Sequence, residues 1–434
     1  MRRGPPDFVG GPKLMWSESA HGSHGTRDSR SVGLSRTAPS RNRLRVVHLG
    51  KYYPPSAGGI ETHTQTLARA QADLGADVHV VVVNHATTGG RDATFERLTR
   101  TRSAAETDGP VRISRVGRWA NFAKLDVSPG LAGVLRRIAS DPPHVWHLHT
   151  PNVTMMLAVL ACRRIRPLVI THHSDIVRQR VSGLAVRPLE HDVYRRAARI
   201  LPTSPTYVEE SNLLQEFAER LTPVPLGLDL TPLREPSAAA LRHAASFRER
   251  FSTPLWLCVG RLIYYKGLHV ALAALRDVPG TLLVVGTGPL EAELRRQAIE
   301  LGVADRVAWH GTATAEELVG AYHAATALWF PSIARSEAFG LVQVEAMAAG
   351  CPVINTAIQG SGVAWVCRHE REALTCRAND AEEFGATAKR LLTEPGLRSR
   401  LVDGGRMRAA EFGHRRMAQR TIDVYQEVAC ASCT

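Results

Sequence analysis

The chain has 434 residues, of which 44% are hydrophobic and 22% charged, and its formal net charge is +13 at pH 7. This length exceeds one ordinary hydrophobic core and predicts two domains of roughly 150–200 residues each. No stretch approaches the roughly 18 uninterrupted apolar residues of a membrane-spanning helix, and no apolar leader follows the N-terminus, so we expect a cytoplasmic protein.

The cysteines and the N-terminal segment add to this expectation. Seven cysteines, an odd number scattered along the chain, favour a reducing compartment over a disulfide framework. Cys430 and Cys433 form a C-x-x-C pair that we attribute to chance, because no second pair accompanies it. Residues 1–43 hold eight Lys/Arg against three Asp/Glu and predict a disordered basic tail. A start codon assigned too far upstream explains them equally well.

Residues 44–228 alternate short apolar strands with helical stretches. Strands are predicted at residues 44–50, 77–83, 111–116, 144–148, 168–171, 199–202 and 222–225, and a helix at residues 60–74. This alternation indicates a doubly wound parallel α/β sheet. The loop after the first strand carries Gly58 and Gly59. Glycines there let backbone N–H groups approach a phosphate or a sugar, although a tight turn requires them too.

Two histidines stand at the end of a strand in this half. His147 and His149 alternate, so their side chains point to one side of the sheet. Two histidines suggest a metal, but no third ligand is evident nearby, and the chain has no D-x-D motif. Metal-dependent transfer is therefore not favoured, and a satisfied polar strand end is the plain alternative.

A basic region covers residues 163–199, with nine arginines against three acidic residues. The arginines around its partly apolar segment at residues 181–186 are Arg178, Arg180, Arg187, Arg195, Arg196 and Arg199. Two interpretations remain open: a solvated basic face, and a surface for anionic lipid headgroups or a lipid diphosphate. Nucleic acid is not an expected partner, because aromatic residues are only 6% of the chain and no binding motif appears.

Residues 229–412 repeat the same pattern as a second domain, and residues 413–434 form a C-terminal helical segment. Strands are predicted at residues 255–259, 281–285, 306–309, 327–330 and 352–355, and late helices at residues 380–392, 395–412 and 415–428. A G-x-G turn at Gly286 and Gly288 follows a strand. Pro289 comes next and the third glycine is missing, which argues against an NAD-dependent dehydrogenase.

The loop after the first strand of this second domain carries Arg261 and Lys266. Ligands of such sheets bind outside the carboxyl ends of the strands, so both cations are expected to face a cleft. A guanidinium and an ammonium stabilise a departing diphosphate, each charge-assisted hydrogen bond contributing roughly 1.5–3 kcal/mol. Two cations on an exposed loop without function are the alternative.

The most informative stretch is residues 336–356, SEAFGLVQVEAMAAGCPVINT, which predicts a loop and then a helix that ends at a glycine. Backbone N–H groups at Phe339, Gly340 and Leu341 would lie at the helix N-terminus, where an anion is favoured. Glu345, one turn later, can reach back toward the same helix N-terminus, and its carboxylate is suited to bind adjacent hydroxyls. A site for phosphate and polyol together suggests a sugar nucleotide. Glu337 lies in the loop just before these residues.

These residues carry a family resemblance. The stretch is similar to E-x-F-G-x-x-x-x-E-A-M-A-x-G of the retaining glycosyltransferases of family four, and residues 260–267 resemble that family's G-R-x-x-x-x-K-G. The resemblance spans about residues 44–428. It implies the GT-B architecture, two Rossmann-like α/β domains facing a cleft, with a last helix crossing back to the first domain. One departure is HEREAL at residues 369–374, where relatives usually show H-G-x-T-G-L.

The resemblance also implies roles for residues. Glu337 would hold and polarise the sugar, His149 its outer hydroxyls, Arg261 and Lys266 the diphosphate, and Glu345 the ribose. Donor binding would also involve Gly59, Phe339, Gly340 and Leu341, and the acceptor side Gly58, His173, Ser174 and Asp175. Transfer would retain the anomeric configuration, with no metal and no covalent side-chain nucleophile.

We therefore expect a hexosyltransferase that uses a nucleotide-diphosphate sugar and a glycan or lipid-linked glycan acceptor. GDP-mannose is the first expectation for the donor and UDP-glucose the second. The enzyme would be peripheral at the inner face of the plasma membrane. Alternatives are a GT-B phosphorylase, a sucrose- or trehalose-type synthase with a soluble acceptor, and a non-catalytic nucleotide-sugar-binding partner, which the HEREAL departure allows.

Overall fold

A computed structural model of the protein describes residues 43–56, 58–86, 98–122, 125–175, 180–251 and 253–431, without the side chains of residues 180–185. The predicted tail at residues 1–43 lies outside these residues apart from its last member, and so does Arg178. Arg180 belongs to a described helix, but its side chain is not described. The described residues form one compact unit.

The first half of the chain builds a seven-stranded sheet from short runs rich in valine, leucine and isoleucine, which favour strands. The strands are β1 (Arg45–Leu49), β2 (Asp77–Val83), β3 (Ala104–Asp108), β4 (Val111–Val116), β5 (Ala120–Phe122), β6 (Leu125–Val127), β7 (Val145–Thr150), β8 (Leu168–His172) and β9 (Ala197–Pro202). Their order in the sheet is β3-β4-β2-β1-β7-β8-β9, and β5 pairs with β6 in a separate hairpin. All pairs of the large sheet are parallel except β3 with β4.

Helices accompany this sheet, and both of its faces are buried. The helices are α1 (Gly59–Asp73), α2 (Gly130–Ile138), α3 (Val153–Leu160), α4 (Arg180–Arg196), α5 (Pro205–Glu209) and α6 (Asn212–Gln215). Successive residues of β7 enter different apolar clusters, since Val145 belongs to one and Trp146 to another. A parallel strand covered on both faces needs this continuous apolar sequence.

The second half of the chain builds a six-stranded, fully parallel sheet in the order β12-β11-β10-β13-β14-β15. Its strands are β10 (Leu255–Val259), β11 (Thr281–Val285), β12 (Val307–Gly311), β13 (Ala327–Phe330), β14 (Val353–Ala357) and β15 (Ala373–Arg377). Its helices are α7 (Thr231–Arg234), α8 (Ala238–Arg250), α9 (Leu268–Leu275), α10 (Glu291–Glu300), α11 (Ala315–Ala324), α12 (Leu341–Ala348), α13 (Val363–Val366), α14 (Ala381–Thr393), α15 (Leu397–Ala409) and α16 (His414–Ala431). Single 3-10 turns occur at Ala218–Arg220, Tyr264–Lys266, Ala304–Arg306 and Ala410–Phe412.

The predicted fold class is confirmed: two doubly wound, mostly parallel α/β sheets. The strand order reverses beside β1 in the first sheet, between β1 and β7, and beside β10 in the second, between β10 and β13. Loops leaving the carboxyl ends of two such strands diverge to opposite faces and leave a crevice, where ligands of these folds bind. The topology therefore brings the loop after β10 beside the loop after β13.

The strand predicted at residues 222–225 is wrong. Thr222 and Val224 donate backbone hydrogen bonds to Ile200 and Pro202 of β9 at 2.9 and 3.0 Å, so the segment does run along the sheet edge. Pro223 and the proline after Val224 have no N–H to contribute, and a regular ladder cannot form. Strand β3, the β5-β6 hairpin and strand β15 were not predicted from the sequence.

The last helix, α16, packs against the first half of the chain. It contacts α1, β7 and β9. Tyr425 is fully buried there, and its hydroxyl accepts a hydrogen bond from Gln71 Nε2 at 3.2 Å and pairs with His147 Nδ1. The C-terminal end of the chain therefore supports the polar interior of the first sheet.

Candidate active site

The crevice of the second sheet holds an ion pair. Lys266, at the end of the loop after β10, places Nζ 2.5 Å from Oε2 of Glu337, in the loop after β13. Ser332 Oγ donates to the same carboxylate oxygen at 3.2 Å. The side chains of Lys266 and Glu337 are only 15% and 10% exposed. Burial alone lowers the pKa of Lys266, but the Glu337 carboxylate raises it above the ordinary lysine value, so the ammonium stays charged.

The backbone around Glu337 is fixed from both sides. The Ser361 hydroxyl donates to the Glu337 carbonyl, and the Gly362 N–H donates to the Ala338 carbonyl at 2.9 Å. Both donors lie in the segment between β14 and α13, so a second loop of the same sheet holds the glutamate in place.

Helix α12 begins at Leu341, and Gly340 is its N-cap, so the helix start falls where the motif predicts. Gly340 has φ 77°, in the left-handed region, and a Cβ there would lie 2.8 Å from the Phe330 ring, so only glycine fits. Phe339 is buried, with its ring 5.6 Å from that of Phe412. The Phe339 side chain therefore belongs to the core, while Gly340 and Leu341 stand at the helix N-terminus.

Glu345 lies one turn inside α12, where the sequence places it, but its hydrogen-bond partner was not predicted. The hydroxyl of buried Tyr322 donates to Glu345 Oε2 at 2.6 Å. Burial raises the pKa of Glu345, against the lowering effects of Tyr322 and Lys266. Tyr322 comes from α11, and no pattern in the 336–356 stretch points to it.

Arg261 is exposed on the loop after β10. The G-x-G turn after β11 packs against this loop. A Cβ at Gly286 would lie 2.0 Å from the Gly260 carbonyl oxygen, and one at Gly288 would lie 2.5 Å from that of Leu262. The two glycines thus allow close packing of two backbones. This packing explains the G-x-G spacing, a part of the dinucleotide-binding fingerprint, without any binding of NAD.

The HEREAL segment at residues 369–374, which lacks the glycines of the resembled family's pattern, still forms a turn with a glycine-like backbone conformation. Glu370, which stands where relatives have their first glycine, adopts φ 60° in the left-handed region. Its N–H donates to the Ala373 carbonyl at 2.8 Å, and its carboxylate pairs with Arg390. A non-glycine residue in this conformation is strained, so the turn is retained at a cost in stability.

The crevice of the first sheet holds histidines instead of charges. His147 and His149 point to one side, as predicted, with ring centroids 4.5 Å apart. The structure adds His48 from β1, His63 from α1 and His173 from the residue after β8, and all five are buried. A third possible ligand, which is not evident in the sequence, therefore does lie near the pair. The added residues are distant in sequence and converge only through the strand order.

These five imidazoles are neutral at pH 7. Burial lowers the pKa of His48 to about 4 and that of His63 to about 3. Burial also holds the pKa values of His147, His149 and His173 well below the ordinary range, and each neighbouring ring lowers them further. A neutral imidazole offers one donor and one acceptor, which suits hydroxyl groups better than anions.

The two predicted glycines differ in their surroundings. Gly58 is the N-cap of α1, and a Cβ there would lie 2.1 Å from a carboxylate oxygen of Glu61. Gly59 is exposed, and nothing lies within 4 Å of its Cβ position. Burial raises the pKa of Glu61, which the sequence analysis did not consider.

Asp175 connects the two halves of the chain. Its carboxylate pairs with His172 Nε2 at 3.1 Å and with Arg335 at 3.1 Å, and accepts from Ser211 Oγ at 3.0 Å. Arg335 lies in the β13 loop just before Glu337 and also donates to the Glu210 carbonyl at 2.6 Å. Ser174, the preceding residue, is partly exposed. The acceptor-side role assigned to Asp175 stays a prediction, and the observed contacts are those of a bridge.

Most described arginines of the basic region are already paired. Arg187 lies 3.3 Å from Glu216 and Arg195 3.2 Å from Asp192. Arg196 donates to the carbonyl of Val159 at 3.1 Å. Arg199 donates to a neighbouring carbonyl, that of Ala198, at 3.1 Å. Among the residues the structure describes, no helix is both long and apolar enough to cross a bilayer.

Comparison with known proteins agrees with this geometry. The family model "Glycosyl transferases group 1" matches residues 243–408, and "Glycosyl transferase 4-like domain" matches residues 58–227. The D-rhamnosyltransferase WbpZ of Pseudomonas aeruginosa is 30% identical over 360 residues, which are 81% of this chain and 87% of that protein. The chain belongs to the group 1 glycosyltransferases. The family predicted from the motif, and with it a transferase activity, is confirmed.

A further relative and two solved structures match most of this glycosyltransferase. The O-antigen chain mannosyltransferase C of Escherichia coli is 28% identical over 387 residues, covering 88% of this chain and 97% of the relative. Sucrose-phosphate synthase from Thermosynechococcus elongatus superimposes with a TM-score of 0.72 at 23% identity, over 90% of this chain and 100% of that one. Anabaena HepE in complex with UDP gives a TM-score of 0.69 at 18% identity, over 88% and 100%. Both likenesses show a shared GT-B fold.

Proposed function

We propose that this glycosyltransferase moves a hexose from a nucleotide-diphosphate sugar to a growing glycan or lipid-linked glycan, with retention of configuration and without a metal in the transfer step. Mannose from GDP-mannose is the first candidate and glucose from UDP-glucose the second. The relative named as an O-antigen chain mannosyltransferase supports the first choice and the glycan acceptor. A complex of UDP with a protein of the same fold supports the nucleotide class.

The observation that carries the proposal is the Lys266–Glu337 pair beside the start of α12, at the crevice of the second sheet. An ammonium at this place neutralises a diphosphate as negative charge develops on it, and the helix N-terminus adds N–H donors. Arg261, on the exposed part of the same loop, is assigned to the diphosphate as well. Glu345, oriented by Tyr322, is assigned to the ribose hydroxyls.

The transfer step needs few groups from the protein. Glu337 holds the sugar and stabilises positive charge at its anomeric carbon, and His149 binds the outer hydroxyls from the opposite wall. The acceptor hydroxyl attacks from the side that the diphosphate leaves, and a departing phosphate oxygen takes its proton. Glu337 thus acts by position and electrostatics and forms no covalent intermediate.

We further propose that the enzyme meets a lipid-linked acceptor at the cytoplasmic face of the plasma membrane. Arg187 and Arg195 support this part, because their side chains remain 57% and 62% exposed despite their ion pairs. Co-sedimentation with vesicles containing anionic lipid should weaken in a double Arg187→Ala and Arg195→Ala variant. Equal binding to neutral and anionic vesicles would remove the membrane surface from the proposal.

Turnover of the purified enzyme tests the function. GDP-mannose, UDP-glucose and their ADP and dTDP counterparts are offered with oligosaccharide acceptors, and the anomeric configuration of the product is read by NMR. We expect one donor to be used, with retention. Glu337→Gln should lower the transfer rate about 10²–10³-fold, while Glu293→Gln, at an exposed glutamate of α10, should leave it unchanged. Inversion, or transfer by Glu337→Gln at the wild-type rate, would refute the assigned mechanism.

A further inference from the structure

Three imidazoles at the carboxyl edge of the first sheet converge on one point. His63, His149 and His173 each offer a ligand nitrogen, and these nitrogens lie within 4.8 Å of one another. We propose that this triad binds a divalent transition-metal ion, and zinc is the ion it fits best. Imidazole suits zinc among the common biological cations, and three histidines with a fourth position open form a known type of zinc site.

The spacing of two ligands is already that of a metal site. His149 Nδ1 lies 3.3 Å from His173 Nε2. Zinc–nitrogen bonds of about 2.0–2.1 Å in tetrahedral geometry place two ligand nitrogens about 3.3–3.4 Å apart. The His63 ring lies 4.8 Å from the His173 ring and 5.5 Å from the His149 ring, centroid to centroid, and its ligand nitrogen lies within 4.8 Å of both others.

A chain of hydrogen bonds orients the central ligand. His48 Nε2 lies 2.8 Å from Gln71 Oε1, and His48 Nδ1 lies 3.0 Å from His149 Nε2. The amide oxygen only accepts, so His48 carries its proton on Nε2, and His149 in turn carries its proton on Nε2. The lone pair of His149 therefore stands on Nδ1, which faces His173. Metal-bound histidines are commonly oriented by such a partner on the second nitrogen.

His63 provides the independent sign of a missing ligand. Its side chain is 3% exposed, and neither of its ring nitrogens has a hydrogen-bond partner among the residues that the structure describes. Buried polar groups in native proteins are normally paired, and an unpaired one is unfavourable. A metal ion shared with His149 and His173 would satisfy one nitrogen of this ring.

A second group of three, His48, His147 and His149, is close enough, but the ring nitrogens of His48 and His147 are all hydrogen-bonded. His147 uses both ring nitrogens, one toward Tyr425 and one toward Thr171 at 2.7 Å. His48 likewise uses both, toward Gln71 and His149. These rings support the proposed ligands and do not form a site of their own.

The binding of zinc does not depend on the proposed function, and the ion takes no part in the transfer step. Only its consequence rests on that function. His149 is the side chain assigned to the outer hydroxyls of the sugar, so bound zinc would withdraw it from the sugar. Zinc should then inhibit transfer, and a chelator should restore it.

The test is a titration of the untagged full chain with Zn²⁺ alone, in a background where Cys430→Ser and Cys433→Ser remove the C-terminal thiols. We expect one equivalent with a dissociation constant below about 1 µM. His63→Gln should weaken it about 100-fold or more, whereas His79→Gln, at a histidine of β2 outside the triad, should leave it unchanged. Weaker binding by the starting protein, or unchanged binding by His63→Gln, would overturn the proposal.

Cobalt spectroscopy keeps the test valid if the His63 variant fails to fold. Co²⁺ in place of zinc should give the intense visible bands of a tetrahedral site in the starting protein, and added Zn²⁺ should remove them. A weak spectrum typical of octahedral, water-rich cobalt would contradict the triad. Neither readout uses a sugar nucleotide, so an inactive transferase would leave this result intact.

Discussion

The two crevices of the molecule solve the burial of polar groups in opposite ways. At the second sheet, Lys266 stays charged in spite of its burial because the Glu337 carboxylate beside it raises its pKa. At the first sheet, five histidines are buried without acidic partners, and the cost of burying charge is avoided because the rings are neutral. We call the side of the second sheet with Lys266 and Glu337 the charged wall, and the five histidines of the first sheet the neutral wall. The charged wall suits an anionic nucleotide diphosphate, and the neutral wall suits hydroxyls or a metal. The difference supports the proposed placement of the donor phosphates at the second sheet.

The largest expected effect comes from separating the ion pair. Glu337→Gln should lower the transfer rate about 10²–10³-fold, because an electrostatic contact at the reacting carbon is lost. It should also cost about 2–3 kcal/mol of folding free energy, less than the loss of a fully enclosed pair, since Glu345 lies near Lys266 as well. Steady-state kinetics and urea denaturation measure the two effects.

A double variant tells these two effects apart. Glu337→Gln with Lys266→Met removes both charges and should regain most of the lost stability, while transfer stays at least as slow as in Glu337→Gln alone. Restored transfer in the double variant would mean that Glu337 matters only as a partner for Lys266, and the charged wall would then be structural.

The second test compares one glycine from each wall. Gly340→Ala should destabilise the protein by about 2–4 kcal/mol, because Gly340 has φ 77° and its Cβ would meet the Phe330 ring at 2.8 Å. Gly59→Ala has open space, so its stability should change by less than about 0.5 kcal/mol. Its donor affinity should fall, because a ligand must approach that backbone. Unchanged donor affinity in Gly59→Ala would remove this glycine from the site.

Much of the charged wall at the second sheet was predictable from the sequence, and little of the neutral wall at the first sheet was. Glu337, Gly340 and Glu345 lie within one strand-loop-helix unit, where spacing alone sets geometry. The histidine cluster draws on β1, α1, β7 and β8, which only the strand order brings together. The ion pair itself, the bond from Tyr322 and the bridge through Arg335 were missed for the same reason. Sequence patterns report local periodicity, and these contacts are long-range.

The smallest expected effect concerns the buried carboxyl group of Glu190 on α4. Burial, and then the nearby charge of Asp175, raises the pKa of Glu190 to about 7. A carboxyl with a raised folded pKa contributes stability below its unfolded pKa of about 4.3, which is lost as the pH rises through 7. Glu190→Gln should therefore be more stable than the wild type by roughly 2 kcal/mol at pH 8 and nearly equal at pH 4.5. Exposed Glu219→Gln is the control, and a pH-independent difference would contradict the assignment.

Titration calorimetry with GDP, UDP, ADP and dTDP tests the division of labour between the two walls most directly. One nucleotide should bind selectively. Arg261→Ala and Glu345→Ala should weaken it about tenfold or more, while His149→Ala and Arg276→Ala, an exposed arginine after α9, should stay within about twofold of the wild type. If His149→Ala weakened the nucleotide as much as Arg261→Ala, or if no nucleotide bound, the charged wall would not be the donor site.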